Sequence, residues 1–296
     1  MNDYILCGGC SFTADQYDFP VWPALVGKHY NIRVNNVGVG GGANDSQFDK
    51  IIDVLIKKKN NKPKHLLYAM TEFYRFYAQF PEDENFRVFS SSNQMSYDQF
   101  VQFSMENGYP DPNQSAEDYN IRRYIIDLGL QIYFDTRLFI DYNFKLLIRL
   151  IDTCELLNIP ITVGLAFAPH ASGVTLPSPT SVDGKFSFDR YQGIRYAKYI
   201  SEVRNFDLKD PYMVDRDNFN TEFLKNPYFK KIDQDPKYYS KIIGWPFIET
   251  FGGHVLTNWN WDEHDKHVIS PTDGHPNKLG QEFMAEHFIK HIGSNL

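Results

Sequence analysis

Apolar residues occur in two alternating patterns along the chain. Short apolar runs, too short for helices, predict buried strands at residues 4–7, 32–37, 65–70 and 161–167. Longer segments of helical period lie around them, beginning near Pro23 and near Asn44 and covering residues 141–157 and 277–292. Strands that alternate with helices are typical of a parallel sheet with crossover helices. The pattern therefore predicts an α/β fold.

The predicted helices each have an apolar face that would pack on the sheet. The expected inward positions are Phe48, Ile51, Ile52 and Leu55 in the second helix, Leu146, Leu147, Leu150 and Ile151 in the third, and Leu279, Phe283 and Phe288 in the last. Asn44 and Asp45 are expected to cap the second helix, because their side chains accept hydrogen bonds from free helical N–H groups.

Two long stretches, at about 77–140 and 170–240, lack clean periodicity and are rich in Asn, Asp, Pro, Tyr and Phe. Loops of this length in a compact domain are usually functional. We interpret them as insertions that form a cap over one end of the sheet, within a single domain spanning residues 1–296.

Charge and composition narrow the possible functions. Thirty basic and 37 acidic side chains give a net charge of −7, which offers no broad positive field for nucleic acid. We find no signal peptide and no apolar run long enough to span a bilayer, so we expect no membrane association and a cytoplasmic or virion-associated protein. Aromatic residues are 16% of the chain, which fits carbohydrate-stacking surfaces or a compositional bias of the genome.

The first motif with chemical potential is GGCSFT, residues 8–13, at the end of the first predicted strand. Glycines allow a sharp turn that exposes the Ser11 hydroxyl near the next helix, with its own N–H free to stabilise an oxyanion. Cys7 and Cys10 form a CxxC, but a redox pair opens a helix, whereas these residues lie in a strand and turn.

The second motif is NVGVGGGAND, residues 36–45, between the second strand and a helix. Glycine lets a backbone N–H approach a substrate oxygen, and the helix N-terminus adds partial positive charge. A phosphate-binding loop is the alternative interpretation. The segment lacks the GK[ST] ending of a P-loop and a clean GxGxxG with a later acidic residue, which disfavours a nucleotide site.

The third motif is DGHPN, residues 273–277, in a loop before the last helix. Asp273 can orient the ring of His275 while the other ring nitrogen reaches a hydroxyl. Since ligands bind at the carboxyl ends of parallel strands, the three motifs should converge there. Together they supply a nucleophile, an oxyanion donor and a base.

These motifs and their order resemble the SGNH (GDSL-type) hydrolase superfamily. The resemblance implies a flavodoxin-like three-layer sandwich with Ser11 as nucleophile, Gly41 in the oxyanion hole, His275 as base and Asp273 as its partner, without a cofactor. The third block departs from the family pattern, because residues 69–76 read AMTEFYRF and contain no asparagine. Thr71 or Asn44 would then replace that donor. The spacing DxH also replaces the common DxxH.

Other residues suggest further contacts or another chemistry. Asp262, His264, Asp265 and His267 have the spacing of a metal-ligand cluster, which Asp273 and His275 could complete, although a polar loop explains them equally well. Arg75 is a candidate for binding a substrate carboxylate or phosphate, with a structural ion pair as the alternative. His170 is either a substrate contact or a turn residue. Trp259 and Trp261 fit a sugar platform or simple packing.

The sequence therefore predicts a serine esterase that acts on a small O-acyl ester such as acetate on a carbohydrate. An inert protein of the same scaffold, which binds a glycan or a protein partner, is the competing hypothesis. A metal-dependent hydrolase that uses Asp262, His264 and His267 is the third.

Overall fold

The computed structural model describes residues 3–73, 75–79, 86–90, 136–167, 222–248, 251–259, 264–270, 273–294 and 296. The strands are β1 (Tyr4–Gly9), β2 (Arg33–Asn36), β3 (His65–Met70), β4 (Arg75–Gln79), β5 (Phe86–Ser90), β6 (Ile161–Leu165), β7 (Ile242–Ile243), β8 (Val268–Ser270) and β9 (Asp273–Pro276). The helices are α1 (Trp22–Tyr30), α2 (Asn44–Lys57), α3 (Thr136–Leu156), α4 (Pro227–Gln234), α5 (Pro236–Tyr239), α6 (His264–His267) and α7 (Lys278–Ile292).

Five parallel strands form the central sheet in the order β2-β1-β3-β6-β7. When only these five strands are numbered in chain order, their order in the sheet is 2-1-3-4-5, as in flavodoxin-like folds. Gly9 lies opposite Ala69, and Met70 lies opposite Leu165, so β1, β3 and β6 end at one edge. The predicted α/β class and flavodoxin-like topology are confirmed.

Helices cover both faces of the sheet and give it three layers. Side chains alternate along β1, with Tyr4 and Leu6 in one apolar cluster and Ile5 and Cys7 in the other. The first cluster packs against α2, α3 and α4, and the second against α1 and α7. Because both faces of β1 and β3 are buried, these strands are continuous apolar runs instead of alternating ones.

The apolar stripe predicted for the long helix α3 is confirmed, since its four residues are all buried: Leu146, Leu147, Leu150 and Ile151. It begins at Thr136, five residues before the predicted start.

The prediction for Leu279 was wrong, because this side chain is 46% exposed. Gly280 and Gln281 are the inward residues of that turn, and a Cβ at Gly280 would lie 2.3 Å from the carbonyl oxygen of His267. Close backbone contact with His267, the last residue of α6, thus fixes which side of α7 faces the core, and Met284 and Phe288 follow on that side.

Parts of both predicted insertions are described. Strands β4 and β5 pair antiparallel in the first, and α4 and α5 lie in the second. Phe223 and Phe229 pack with Phe144 of α3, so the end of the second stretch contributes to the main core. Most of both stretches lies outside the described residues, and the cap and the single domain stay predictions. Among the helices that are described, none has the length and hydropathy to cross a membrane.

Candidate active site

Ser11 lies in a tight turn at the carboxyl end of β1. The Cys10 carbonyl accepts hydrogen bonds from Thr13 N and Ala14 N, which reverses the chain immediately after the strand. A Cβ at Gly9 would lie 2.2 Å from Thr13 Oγ1, so only glycine fits the turn. Contrary to the sequence expectation, no helix starts beside Ser11, since α1 begins only at Trp22.

The Ser11 hydroxyl is joined to the last segment of the chain by a hydrogen bond. Ser11 Oγ lies 2.9 Å from His275 Nε2, and His275 Nδ1 lies 2.6 Å from Asp273 Oδ1. An ionised carboxylate only accepts, so Nδ1 carries the proton and Nε2 accepts from the serine hydroxyl. This is the order of contacts required between a nucleophile, its base and the group that orients the base.

With one residue between them, Asp273 and His275 can still form a hydrogen bond because they lie on a strand instead of the expected loop. They belong to β9, which pairs with β8, and residues two apart on a strand point to the same side. Asp273 Oδ1 also accepts from the His275 backbone N at 3.1 Å, and Asp273 N donates to Ser270 Oγ at 3.0 Å. The short hairpin therefore aligns the carboxylate with the imidazole.

Gln281 of α7 ties the two ends of the chain together, and sequence analysis missed it. Its Oε1 accepts from Trp22 N at 2.8 Å, and its Nε2 donates to the Phe12 carbonyl at 3.1 Å. The side chain is fully buried. Its one sequence signal is a polar residue seven positions before Phe288, on the buried face of the helix.

The glycine-rich segment that follows β2 lies against the Ser11 turn. Val39 N donates to the Gly9 carbonyl at 3.0 Å, and Asn36 Nδ2 donates to the Thr13 carbonyl at 2.7 Å. Gly41 is exposed with a φ of +70°, a conformation that favours glycine. Within the described part of the chain, the N–H groups of Ser11 and Gly41 donate to no other residue.

Asn44 is not free to contact a substrate. Its Nδ2 donates to the Thr71 carbonyl and to Asn143 Oδ1, and its Oδ1 accepts from Thr71 N and from the Tyr68 hydroxyl. The side chain is 2% exposed. It also does not cap α2, which it begins as the first helical residue after Ala43. Asn44 holds the end of β3 to α2 and α3, and its side chain is therefore not available as the predicted oxyanion donor.

Thr71 lies directly after β3, at the edge where β1 also ends. Its backbone N is held by Asn44 Oδ1 at 2.8 Å. The hydroxyl is enclosed, and within the described residues it has no hydrogen-bond partner. Thr71 is therefore a donor that is not committed to another described group.

Aromatic rings surround the imidazole. The Phe12 ring lies 5.2 Å from the ring of His275 in an edge-on arrangement, and Phe167 lies 5.0 Å from Phe12. Tyr17 donates from its hydroxyl to the Ser11 carbonyl at 3.2 Å and stacks on Phe19 at 5.1 Å. Burial raises the pKa of Tyr17 to about 12, which keeps this donor protonated.

Arg75, the first residue of β4, lies beside this aromatic group. Its Nε donates to Glu72 Oε1 at 2.7 Å, and its guanidinium carbon lies 5.4 Å from the centre of the Phe167 ring. His170, the other predicted substrate contact, lies outside the described residues.

Of the residues predicted to form a metal cluster, the structure describes the side chains of Asp265, His267, Asp273 and His275. Across the described residues, no group of three or more His, Cys, Asp or Glu side chains is placed to hold a metal ion. His267 is buried, stacked on Trp259 at 5.2 Å and edge-on to Phe283 at 5.7 Å. Asp262, the side chain of His264 and Trp261 lie outside the described residues.

Cys7 and Cys10 are buried free thiols. Burial raises the pKa of Cys7 well above its ordinary value, whereas a reactive redox thiol has a lowered pKa.

Fold and site together define a flavodoxin-like α/β protein with a serine–histidine–aspartate hydrogen-bond chain at the carboxyl edge of its sheet. Solved structures similar to this chain include the psychrotrophic esterase EstA from Pseudoalteromonas sp., solved in an inhibited form, with 11% identity and a TM-score of 0.41 over 98% of this chain and 97% of that one. A protein described as an SGNH hydrolase from Slackia heliotrinireducens has 8% identity and a TM-score of 0.39, with 99% and 100% covered.

A third similar structure is the lipase Lip_vut3 from a goat rumen metagenome, with 11% identity and a TM-score of 0.39 over 98% of this chain and 97% of that one. No protein-family model and no curated protein sequence matches the chain. The chemistry of the site rests on the side-chain geometry of this chain.

Proposed function

We propose that this protein is a serine esterase of SGNH type, in which Ser11 is the nucleophile, His275 the general base and Asp273 the residue that orients it. The observation that carries the proposal is the unbroken pair of hydrogen bonds, 2.9 Å from Ser11 Oγ to His275 Nε2 and 2.6 Å from His275 Nδ1 to Asp273 Oδ1.

The reaction follows from this geometry. As Ser11 Oγ attacks the ester carbonyl carbon, His275 Nε2 takes its proton and becomes an imidazolium, which Asp273 stabilises. His275 then gives the proton to the departing alcohol as the carbon–oxygen bond of the ester breaks, leaving an acyl group on Ser11. Water, deprotonated by His275, attacks the acyl-enzyme and releases the acid.

The negative oxygen of the tetrahedral intermediate needs hydrogen-bond donors. We assign this role to the N–H groups of Ser11 and Gly41 and to the Thr71 hydroxyl, which are uncommitted among the described residues. Loss of one such donor typically lowers turnover by about 10²- to 10³-fold. The missing third-block asparagine is therefore compatible with catalysis if Thr71 replaces it.

The surroundings of Ser11 favour a small acyl group. Ser11 is only 6% exposed, and Phe12 and Tyr17 contact or approach the His275 ring. The neighbouring Tyr17–Phe19 stack offers an aromatic surface of the kind on which a sugar ring packs. We therefore propose a short O-acyl ester on a carbohydrate as the substrate.

Hydrolysis of 4-nitrophenyl acetate by wild type and by the Ser11→Ala variant tests the proposal. We expect turnover to fall by roughly 10³-fold or more, because no other group supplies the attacking oxygen in the proposed mechanism. Ser240→Ala is the matched control, since Ser240 is exposed and outside the site. Equal activity of the Ser11→Ala variant and wild type would refute the esterase mechanism.

A further inference from the structure

The guanidinium of Arg75 is held firmly at the flank of the candidate active site. Glu72, which accepts the hydrogen bond from Arg75 Nε, is 1% exposed, and the Arg75 side chain is 19% exposed. The ring of Phe167 lies 5.4 Å from the guanidinium carbon. A buried carboxylate that accepts from Nε and an aromatic ring facing the guanidinium carbon restrict the orientation of this cation.

Two successive ring contacts connect this cation to the catalytic base. Phe167 packs on Phe12 at 5.0 Å, and Phe12 packs on the His275 ring at 5.2 Å. Arg75 therefore belongs to the same group of packed side chains as the His275 ring, which is hydrogen-bonded to Ser11.

Most N–H donors of Arg75 have no hydrogen-bond partner among the described residues. A guanidinium has five N–H groups, and among the described residues only the Nε–H of Arg75 is donated to a partner. The two terminal nitrogens form the planar fork that binds carboxylate, phosphate or sulfate oxygens in pairs. A lysine at this position would lack the fork and the fixed plane.

We propose that Arg75 is the specificity residue for an anionic group, a carboxylate, phosphate or sulfate, carried by the ester substrate. The proposal rests on the proposed esterase function, because Ser11 is taken as the centre that cleaves the ester. The anionic group is either on the acyl side or on the alcohol side of the scissile bond. A purely structural Arg75–Glu72 pair would give no preference for anionic esters.

Pairs of esters of similar shape, one anionic and one neutral, test the proposal. On the alcohol side, 4-acetoxybenzoate is compared with its methyl ester. On the acyl side, mono-4-nitrophenyl glutarate is compared with 4-nitrophenyl pentanoate, after subtraction of spontaneous hydrolysis. The measured quantity is the ratio of kcat/KM for the anionic ester to that for its neutral counterpart.

The informative variant is the double substitution Glu72→Gln and Arg75→Gln. Removing Arg75 alone would take its positively charged partner from the buried Glu72 carboxylate, which can unfold the protein, whereas the double variant removes both charges. We expect the ratio to fall by about 10- to 100-fold on the side that carries the anion, the range for a lost hydrogen-bonded charge contact. The control is Asp53→Asn with Lys57→Gln, an exposed pair on α2.

A binding measurement separates this proposal from the esterase function. In the Ser11→Ala variant, calorimetry should give tighter binding of the anionic member of a pair than of its neutral partner by 10-fold or more. The preference should disappear when Glu72→Gln and Arg75→Gln are added. An unchanged kcat/KM ratio, or equal binding of both members, overturns the anion site. Charge-selective binding without any ester hydrolysis by wild type overturns the proposed esterase function and leaves the anion site standing.

Discussion

The catalytic proposal depends at the residue scale on where the proton of the His275 ring lies. Asp273 Oδ1 contacts both the backbone N and the ring Nδ1 of His275, so one oxygen fixes the backbone and the tautomer together. With Nδ1 protonated, Nε2 is left to accept the Ser11 proton. In the proposed mechanism the carboxylate therefore acts on the serine only through the histidine.

The Asp273→Asn substitution tests this role. An asparagine of the same size can turn its amide N–H towards Nδ1, which would place the ring proton on Nε2 and remove the base. We expect kcat for 4-nitrophenyl acetate to fall by about 10²- to 10⁴-fold with little change in KM. Asp265→Asn, a change at an exposed carboxylate of α6, is the control. A change of less than threefold would mean that Asp273 does not orient His275.

At the scale of elements, the site depends on the packing of α7 against the turn after β1. Gln281 bridges the Phe12 carbonyl and Trp22 N, and Trp22 Nε1 in turn donates to Thr13 Oγ1 at 3.2 Å. Trp22 also stacks on Phe288 of α7 at 4.2 Å. The turn that carries Ser11 is therefore fixed to the helix that directly follows His275.

The Gln281→Leu substitution should loosen this connection. It removes the hydrogen bonds that Gln281 makes with the buried Trp22 N–H and the Phe12 carbonyl. A buried polar group that loses its hydrogen bond costs about 1–3 kcal/mol. We expect a lower free energy of unfolding in urea, together with a fall in kcat that exceeds the change in KM. The control is Glu286→Ala on the exposed face of α7. Wild-type stability and kcat in the Gln281→Leu variant would contradict this account.

The elements differ in how far the sequence could predict them. The strands β1 and β3 and the stripe of α3 were predictable, because burial on both faces or on one face leaves a periodic apolar pattern. Leu279 and the β8–β9 hairpin were not, since backbone contact between Gly280 and His267 decides the orientation of α7 and leaves no periodic signal.

The candidate site was also predictable only where short sequence motifs define it, and not where contacts distant in sequence do. The motifs placed Ser11, Asp273 and His275 at one edge of the sheet, and the structure brings them into hydrogen-bonding distance. The sequence could not show that the Asn44 side chain is already hydrogen-bonded to Thr71, Tyr68 and Asn143, because those contacts join residues up to 99 positions apart. Gln281 was missed for the same reason.

At the scale of the whole molecule, the sheet is covered on both faces, and His65 is buried at the start of its central strand β3. Its Nε2 lies 3.0 Å from Thr162 Oγ1 on the neighbouring strand β6. Burial, with a smaller contribution from His291, lowers the pKa of His65 to about 4. The histidine is therefore neutral in the folded protein at neutral pH.

This lowered pKa predicts a loss of stability in mild acid. Between pH 6.5 and 4 the unfolded chain binds a proton at His65 that the folded protein does not, so the stability present above pH 6.5 declines as the pH falls towards 4. From pH 7 to pH 5 the contribution of His65 is about 2 kcal/mol. His65→Gln should reduce this pH dependence of urea unfolding, and His29→Gln, at an exposed site on α1, should not. An equal dependence in wild type and the His65→Gln variant would contradict the prediction.

The most direct test of the central claim uses a fluorophosphonate probe, whose phosphorus reacts with a serine that has been activated by a neighbouring base. We predict that the intact protein is labelled and that peptide mapping finds the adduct on Ser11. Labelling should be lost in Ser11→Ala and slowed strongly in His275→Gln, but retained in Ser240→Ala. Failure to label the folded protein, or an adduct on another residue that survives Ser11→Ala, would contradict the assignment of Ser11 as an activated nucleophile.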